Sequence, residues 1–262
     1  CSWYPVLYRR TRMAIKDREK EILHLLEKKY SVSVKDLAKS LYISESTIRR
    51  DLIELEKKHL IVHSYGKVSA NKLSADLNIA YSDREQLMYN VKSNLAQAAS
   101  ALIRDGNVIL LDASSTASHI VRFLENFKDI IVVTSGLKTA YMLCQTDIPF
   151  LSTGGNALNK SFSLVGQTAI NTVLTYNADI CFISCHGVTE NGMVTDNSVP
   201  ENDLRRHMLN QAETKVLIID NTKINQKCWH ILCDISEFDE VFCNEPLPPA
   251  AMSKIKHFHL IQ

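Results

Sequence analysis

Two sets of residues in this 262-residue sequence have the types and spacing to do chemistry. The first lies in "SESTIRRDL" (44–52), where Ser46, Thr47, Arg49 and Arg50 stand near the start of a helical pattern. They fall off the apolar stripe made by Ile48, Leu52 and Leu55. A guanidinium fork grips a guanine edge or clamps a phosphate, and short hydroxyl side chains let a helix approach closely. The second set follows apolar runs. "LLDASSTASH" ends one such run in Asp112, then offers Ser114, Ser115 and Thr116 at a helix start, where hydroxyls and free N–H groups suit an anion. "VVTSGLKTA" repeats the arrangement with Thr134 and Ser135, and "LSTGGNAL" brings Gly154 and Gly155, which let backbone approach a ligand. "IIDNTKIN" puts Lys223 beyond another run as a counter-charge. Together these ends suit a polyol phosphate. Each also has a plain alternative: Ser and Thr cap helices everywhere, and lysines and arginines solvate surfaces.

The elements that must hold the first set are legible around it. "DREKEILHLLEKK" (17–29) carries Ile22, Leu25 and Leu26 at helical spacing, with Asp17 as the expected N-cap. Val34, Leu37, Ala38 and Leu41 form the stripe of a second helix. "YIS" is a tight turn, and Ser44 is the expected N-cap of the third helix. Two short helices so joined, the second starting polar and cationic, fit a helix-turn-helix whose recognition helix enters the major groove. "LIVHSYGKVSA" (60–70) then alternates around Gly66 as a β-hairpin would, giving a wing from which His63, Tyr65 and Lys67 reach DNA backbone or minor groove.

Charge agrees with that division. Residues 1–69 hold 15 Lys/Arg against 9 Asp/Glu, whereas residues 70–262 hold 15 against 20. A basic module on an acidic body is the pattern of a nucleic-acid binder with a separate regulatory domain.

After a polar stretch, the larger part alternates short apolar runs with helical patterns. Strands are expected within 107–112, 129–134, 148–153, 179–184, 215–220 and 239–243. Helical "TASHIVRFLENF", "GLKTAYMLCQ", "VGQTAINTVLTY" and "ENDLRRHMLNQA" lie between them. The fold class expected is therefore a small α+β winged helix-turn-helix followed by a larger α/β domain with a mostly parallel sheet. The boundaries expected are an extension at 1–14, the DNA-binding domain at 15–70, a linker at 71–90 and the effector domain at 91–262.

No apolar run approaches the roughly 20 residues of a membrane span. Seven cysteines without a tight framework argue for free thiols in a reducing compartment, hence a cytoplasmic protein. Cys181, Cys185 and His186 invite a metal reading, but they sit in the apolar stretch "DICFISCHG" without a second ligand pair, so buried thiols are expected and no metal or cofactor. "CSWYPVLYRRTR" has no secretory-signal pattern. Met13 is the expected natural start, although a chain beginning at Cys1 is also how a mature lipoprotein begins.

"VSVKDLAKSLYISESTIRRDLIELEKKHLI" resembles the N-terminal domain of the DeoR family of bacterial transcriptional regulators, with Thr47, Ile48, Arg49, Arg50, Asp51, Leu52 and Leu55 matching its motif and the helix-turn-helix running from Val32 to Asp51. The wing departs from the family: His63 stands where Arg is usual, Tyr65 where His is common, and Lys67 in place of the second Gly. The resemblance continues through Asp112 to Thr116, Thr134 and Ser135, Gly154 and Gly155, Glu201 with Arg205 and Arg206, and Asp220 with Lys223. Ser114 replaces a usual Gly and Ser135 a usual Asn. The resemblance implies an effector domain similar in fold to ribose-5-phosphate isomerase, whose "DGAD" and "KGGG" motifs have no counterpart here. It implies a repressor of a carbohydrate operon, relieved by a phosphorylated sugar, acting as a homo-oligomer on operator DNA. An activator, a regulator with a non-sugar ligand, and an isomerase-like enzyme are the alternatives.

Overall fold

The computed structural model describes residues 15–28, 32–57, 61–64, 67–70 and 81–262. The chain divides into two compact units, residues 1–78 and 79–262.

In the first unit, α1 (Ile15–Lys28) buries Ile22 and Leu26, α2 (Val34–Leu41) buries Val34, Leu37 and Ala38, and α3 (Glu45–Lys57) buries Ile48, Leu52 and Leu55. These stripes form one core with Val32, Ile61 and Val68. Ser33 caps α2, its hydroxyl accepting from the Asp36 N–H at 3.1 Å, and Ser44 caps α3 by accepting from the Thr47 N–H at 3.3 Å. Asp17, expected to cap α1, lies inside it, because the helix begins at Ile15. The expected hairpin pairs β2 (Ile61–Ser64) with β3 (Lys67–Ala70) in antiparallel register, and β3 also pairs with β1 (Val32–Ser33).

The second unit opens earlier than expected. Residues 81–90, assigned from sequence to a linker, form α4 (Tyr81–Gln86) and begin α5 (Tyr89–Ser100). Tyr81 is buried, with its hydroxyl donating to Ser118 at 3.0 Å, and that anchoring makes structure of a polar segment. Residues 71–80 of the expected linker lie outside the described residues.

Seven parallel strands make the main sheet: β4 (Val108–Leu111), β5 (Ile131–Thr134), β6 (Phe150–Ser152), β9 (Ala178–Ile183), β12 (Ala212–Ile218), β14 (Glu240–Cys243) and β15 (His257–Leu260). Their order is β15-β14-β12-β9-β4-β5-β6. Side chains alternate between two cores. Helices α6 (Leu137–Leu143) and α7 (Gln167–Val173) precede α8 (Val199–Gln211). Ile109, Leu111, Ile180 and Phe182 pack with Leu95 and Ala99 of α5, while Leu110, Cys181 and Ile183 pack with Leu204 and Met208 of α8. Burial on both faces is why these strands read as continuous apolar runs.

Three features differ from the expected pattern. "TASHIVRFLENF" forms a 3-10 helix over Ala117–Asn126 rather than an α-helix. A hairpin of β7 (Asn156–Leu158) with β8 (Ser163–Val165), and a small sheet of β10 (Gly187–Val188), β11 (Met193–Asp196) and β13 (His230–Asp234), come from segments too short for a periodic signal. Gly155, at φ +107°, marks the start of that hairpin: a Cβ there would lie 2.5 Å from the Val165 carbonyl oxygen. Cys181, Cys185, Cys228, Cys233 and Cys243 are buried thiols, and Cys144 is exposed. Among the described residues no helix is long and apolar enough to cross a membrane.

Candidate functional site

The α3 surface is set from beneath by Asp51. Its carboxylate takes a two-pronged grip from Arg18 of α1, Nε to Oδ2 at 2.8 Å and Nη2 to Oδ1 at 2.9 Å, and is 4% exposed. That bond pins α1 to α3 and leaves Arg49 and Arg50 pointing away from the core, both exposed. Ser44 Oγ lies 3.0 Å from Ser46 Oγ and 2.9 Å from Thr47 Oγ1, so the first turn of α3 is an exposed cluster of hydroxyls. Glu45 sits 3.8 Å from Arg49, a weak exposed pair. His63 and Lys67 occupy the two hairpin strands, His63 opposite Val68 and Lys67 opposite Ser64. Tyr65 lies outside the described residues.

In the second unit the strand order runs outward from β4 through β5 and β6, and the other way from β9 through β12, β14 and β15. Ligands of open parallel sheets bind at the carboxyl ends beside such a reversal. A cleft with about 380 Å³ of unfilled space, part of it open to solvent, lies there. Ser114, Ser115 and Thr116 line it after β4, Ser184, Cys185 and His186 after β9, and Lys223 after β12; Arg205 reaches it from α8, and Arg84, Leu87 and Lys92 from the start of the unit.

Its floor is a buried charge network. Arg205 Nε donates to Asp112 Oδ2 at 2.8 Å and its Nη1 to Asp196 Oδ2 at 2.7 Å. Burial works against the Arg205 charge, but Asp196, Asp112 and Glu201 outweigh it and raise its pKa. Burial likewise opposes the Asp196 charge, and His186 and Arg205 outweigh it, holding that carboxyl well below its ordinary range. His186 Nδ1 stands 2.9 Å from Asp196 Oδ2, and Arg84 Nη1 stands 3.4 Å from His186 Nε2.

Above that floor three cations lack a direct carboxylate partner, although Asp220 acts on Lys92 from further away. Arg84, Lys92 and Lys223 form no ion pair with a carboxylate among the described residues, and the buried Nε of Arg84 has no hydrogen-bond partner. Lys92 is 3% exposed and donates to the Arg84 carbonyl at 2.5 Å and to Ser115 Oγ at 3.1 Å; burial lowers its pKa to about 8. Among the described residues the N–H groups of Ser115 and Thr116 also lack a partner. Three cations, two free N–H groups and several hydroxyls converging at strand ends have the chemistry to hold a phosphorylated or otherwise anionic small molecule.

The expected effector residues divide by role. Ser114, Ser115, Thr116, Arg205 and Lys223 line the cleft. Asp112, Ser135, Glu201 and Arg205 line a smaller neighbouring cavity. Asp112 itself holds Arg205 and the Ser114 N–H at 3.0 Å, and Ser114 Oγ caps Ala117 at 3.0 Å, so both are occupied in building the site. Thr134 is fully buried, donating to the Leu111 carbonyl at 2.9 Å and accepting from the Gly136 N–H at 3.1 Å; it shapes the turn after β5. Gly154 and Gly155 line neither cavity and serve the turn after β6. Arg206, beside Arg205, bonds the Leu232 carbonyl instead.

Sequence reasoning missed Arg84 and Lys92 and took His186 only as a metal candidate. Lys92 did leave a signal. Lys92, Leu95, Ala96 and Ala99 share one buried helical stripe, and a lysine on such a stripe costs too much to bury without use. Arg84 left none.

A winged helix-turn-helix unit together with an α/β unit carrying a cation-lined cleft is the make-up of a ligand-responsive, DNA-binding transcriptional regulator. The family follows from comparison with known proteins. The DeoR-like helix-turn-helix domain matches residues 18–74 and the DeoR C terminal sensor domain matches residues 88–245, and the chain belongs to the DeoR family of transcriptional regulators. It is 34% identical to the HTH-type transcriptional regulator GolR of Listeria innocua, over 79% of this chain and 82% of that one. It is 28% identical to a putative aga operon transcriptional repressor of Escherichia coli O157:H7, over 92% and 90%. With an L-fucose operon activator of Haemophilus influenzae it shares 27% identity over 88% and 92%. Among solved structures, ribose 5-phosphate isomerase A of Methanocaldococcus jannaschii covers 53% of this chain and 56% of its own, at a TM-score of 0.41 and 20% identity.

Proposed function

We propose that this regulator represses a carbohydrate operon and releases it when a phosphorylated sugar fills the cleft at the carboxyl ends of β4, β9 and β12. The observation that carries the effector reading is the set of three cations that make no ion pair among the described residues, Arg84, Lys92 and Lys223, around hydroxyls suited to a polyol. Ser46, Thr47, Arg49 and Arg50 read the operator, with His63, Tyr65 and Lys67 of the wing on its backbone. The protein acts in the cytoplasm as a homo-oligomer, because operators mirror protein symmetry. Regulation requires that the sugar bind the DNA-competent and DNA-incompetent states unequally. Catalysis has no part in this reading, and pentose-phosphate isomerase turnover by the purified protein would overturn that exclusion.

Two measurements test the proposal. Deleting the gene should raise transcripts of the adjacent operon; a fall would make the protein an activator, as one relative is named. A thermal-shift screen of sugar phosphates should find a ligand that raises the melting temperature by mass action, and Lys223→Ala should remove that response while DNA binding persists.

The affinity should also depend on pH through Lys92. A bound phosphate favours the charged amine and raises its pKa, so binding takes up a proton wherever the free amine is neutral. Affinity should therefore be level below about pH 8 and fall above it by up to about tenfold per pH unit, the limit for one linked proton. Lys92→Met should bind weakly at all pH values and lose that fall. A fall that persists in the variant would assign it to another group.

A further inference from the structure

The turn between α2 and α3 holds a residue that folding does not explain. Tyr42 closes α2 at φ 55° and ψ 39°, the left-handed conformation, where any side chain meets a steric penalty that glycine avoids. Its side chain is 95% exposed, the highest value among the exposed large hydrophobic residues, so the ring contributes little to the core. Its N–H donates to the Lys39 carbonyl at 3.3 Å, a bond that glycine would make equally well. Tyr42 stands two residues before Ser44, at the hydroxyl-rich end of α3, with exposed Lys39 on the preceding helix and exposed Arg49 and Arg50 on the following one.

We propose that Tyr42 is a DNA-backbone contact of the helix-turn-helix. Its ring packs on a deoxyribose, and its phenol O–H donates to a phosphate beside the bases that face the start of α3. The occupant is a DNA duplex because the surrounding side chains are cations and hydroxyls, and Glu45, the acid beside them, is already near Arg49. The inference rests on the DNA-binding reading and extends it to a residue outside the recognition helix.

The test uses the full chain and two duplexes of equal length, one from the DNA upstream of its own operon and one of unrelated sequence. Tyr42→Gly should melt no lower than the parent protein yet bind both duplexes about tenfold more weakly, within the range of one lost polar contact. Its slope of log affinity against log salt should be unchanged, because a neutral phenol releases no counterion, whereas Arg50→Ala should flatten the slope if Arg50 holds a phosphate. Tyr42→Phe should fall between parent and glycine variant. Affinity of Tyr42→Gly within twofold of the parent on both duplexes overturns the inference while leaving the DNA-binding reading intact. So does a change of oligomeric state at unchanged affinity, which would make the ring a protein contact. No binding of either duplex by the parent protein at low salt overturns both.

Discussion

Arg205→Ala is expected to cost the C-terminal unit about 3–5 kcal/mol, the usual loss when one partner of a buried ion pair is removed. The guanidinium is 4% exposed and bridges Asp112 and Asp196, so its removal leaves Asp112 buried without its cation and Asp196 with His186 alone. At about 2–4 °C per kcal/mol for a unit of this size, the melting temperature should drop by roughly 6–20 °C. The pH dependence separates this account from simple loss of packing. In the parent protein Asp196 has a depressed pKa, so its contribution is present above the unfolded carboxylate value and is lost as pH falls below it. In the variant His186 alone opposes the burial of Asp196, so that carboxyl is held down less, and less stability is lost as pH falls. The gap between the two proteins should therefore narrow on acidification. A gap constant from about pH 5 to about pH 2 would refute the charge account. Arg205→Lys should be intermediate, since one ammonium cannot hold both carboxylates in the same fork geometry. Effector response should vanish in the alanine variant even where it remains folded, because Arg205 lines the cleft as well as its floor.

Asp51→Ala should separate stability from DNA reading in the other unit. The Arg18–Asp51 fork is less enclosed, with Arg18 at 13% side-chain exposure, so a loss of about 2–3 kcal/mol is expected, below the fully buried figure. DNA affinity should fall with it, because α3 loses its fixing point on α1. Arg50→Ala should do the opposite: stability within about 0.5 kcal/mol of the parent, since the side chain is exposed, and operator affinity lower by roughly 1–3 kcal/mol if it reads a base. Denaturant melts and operator titrations on both variants check the contrast. An Asp51→Ala protein as stable as the parent would remove the fork from the account of how α3 is held.

The family motif "TIRRDL" thus contains two kinds of residue that look alike in sequence. Asp51 follows two arginines and reads as one more charge of a surface helix, yet its partner is 33 positions away on another helix. Asp112 shows the same ambiguity. At a strand end it reads as a ligand for a hydroxyl, but with Arg205 on it 93 residues further along, it builds the floor of the site. Lys92 was visible only as a lysine on an apolar stripe, and Arg84 stood in a polar stretch that composition assigns to a linker.

By itself the sequence determined what depends on neighbours in the chain: the three helical stripes, the cap at Ser44, the hairpin, the apolar strands, and the charge division between the units. These follow from periodicities of 3.6 and 2 and from local hydrogen bonds, so a short window contains their cause. Only the tertiary structure decided which charges cancel and which stay unmatched. Arg205 meets Asp112 and Asp196 because α8 packs beside β9 and β12, while Arg84, Lys92 and Lys223 arrive from distant segments at one strand edge without an ion pair, Asp220 acting on Lys92 only through its field. Their chemistry depends on distance and burial, because Coulomb and desolvation energies are set by separation in space and by the water around a charge, whatever the spacing along the chain.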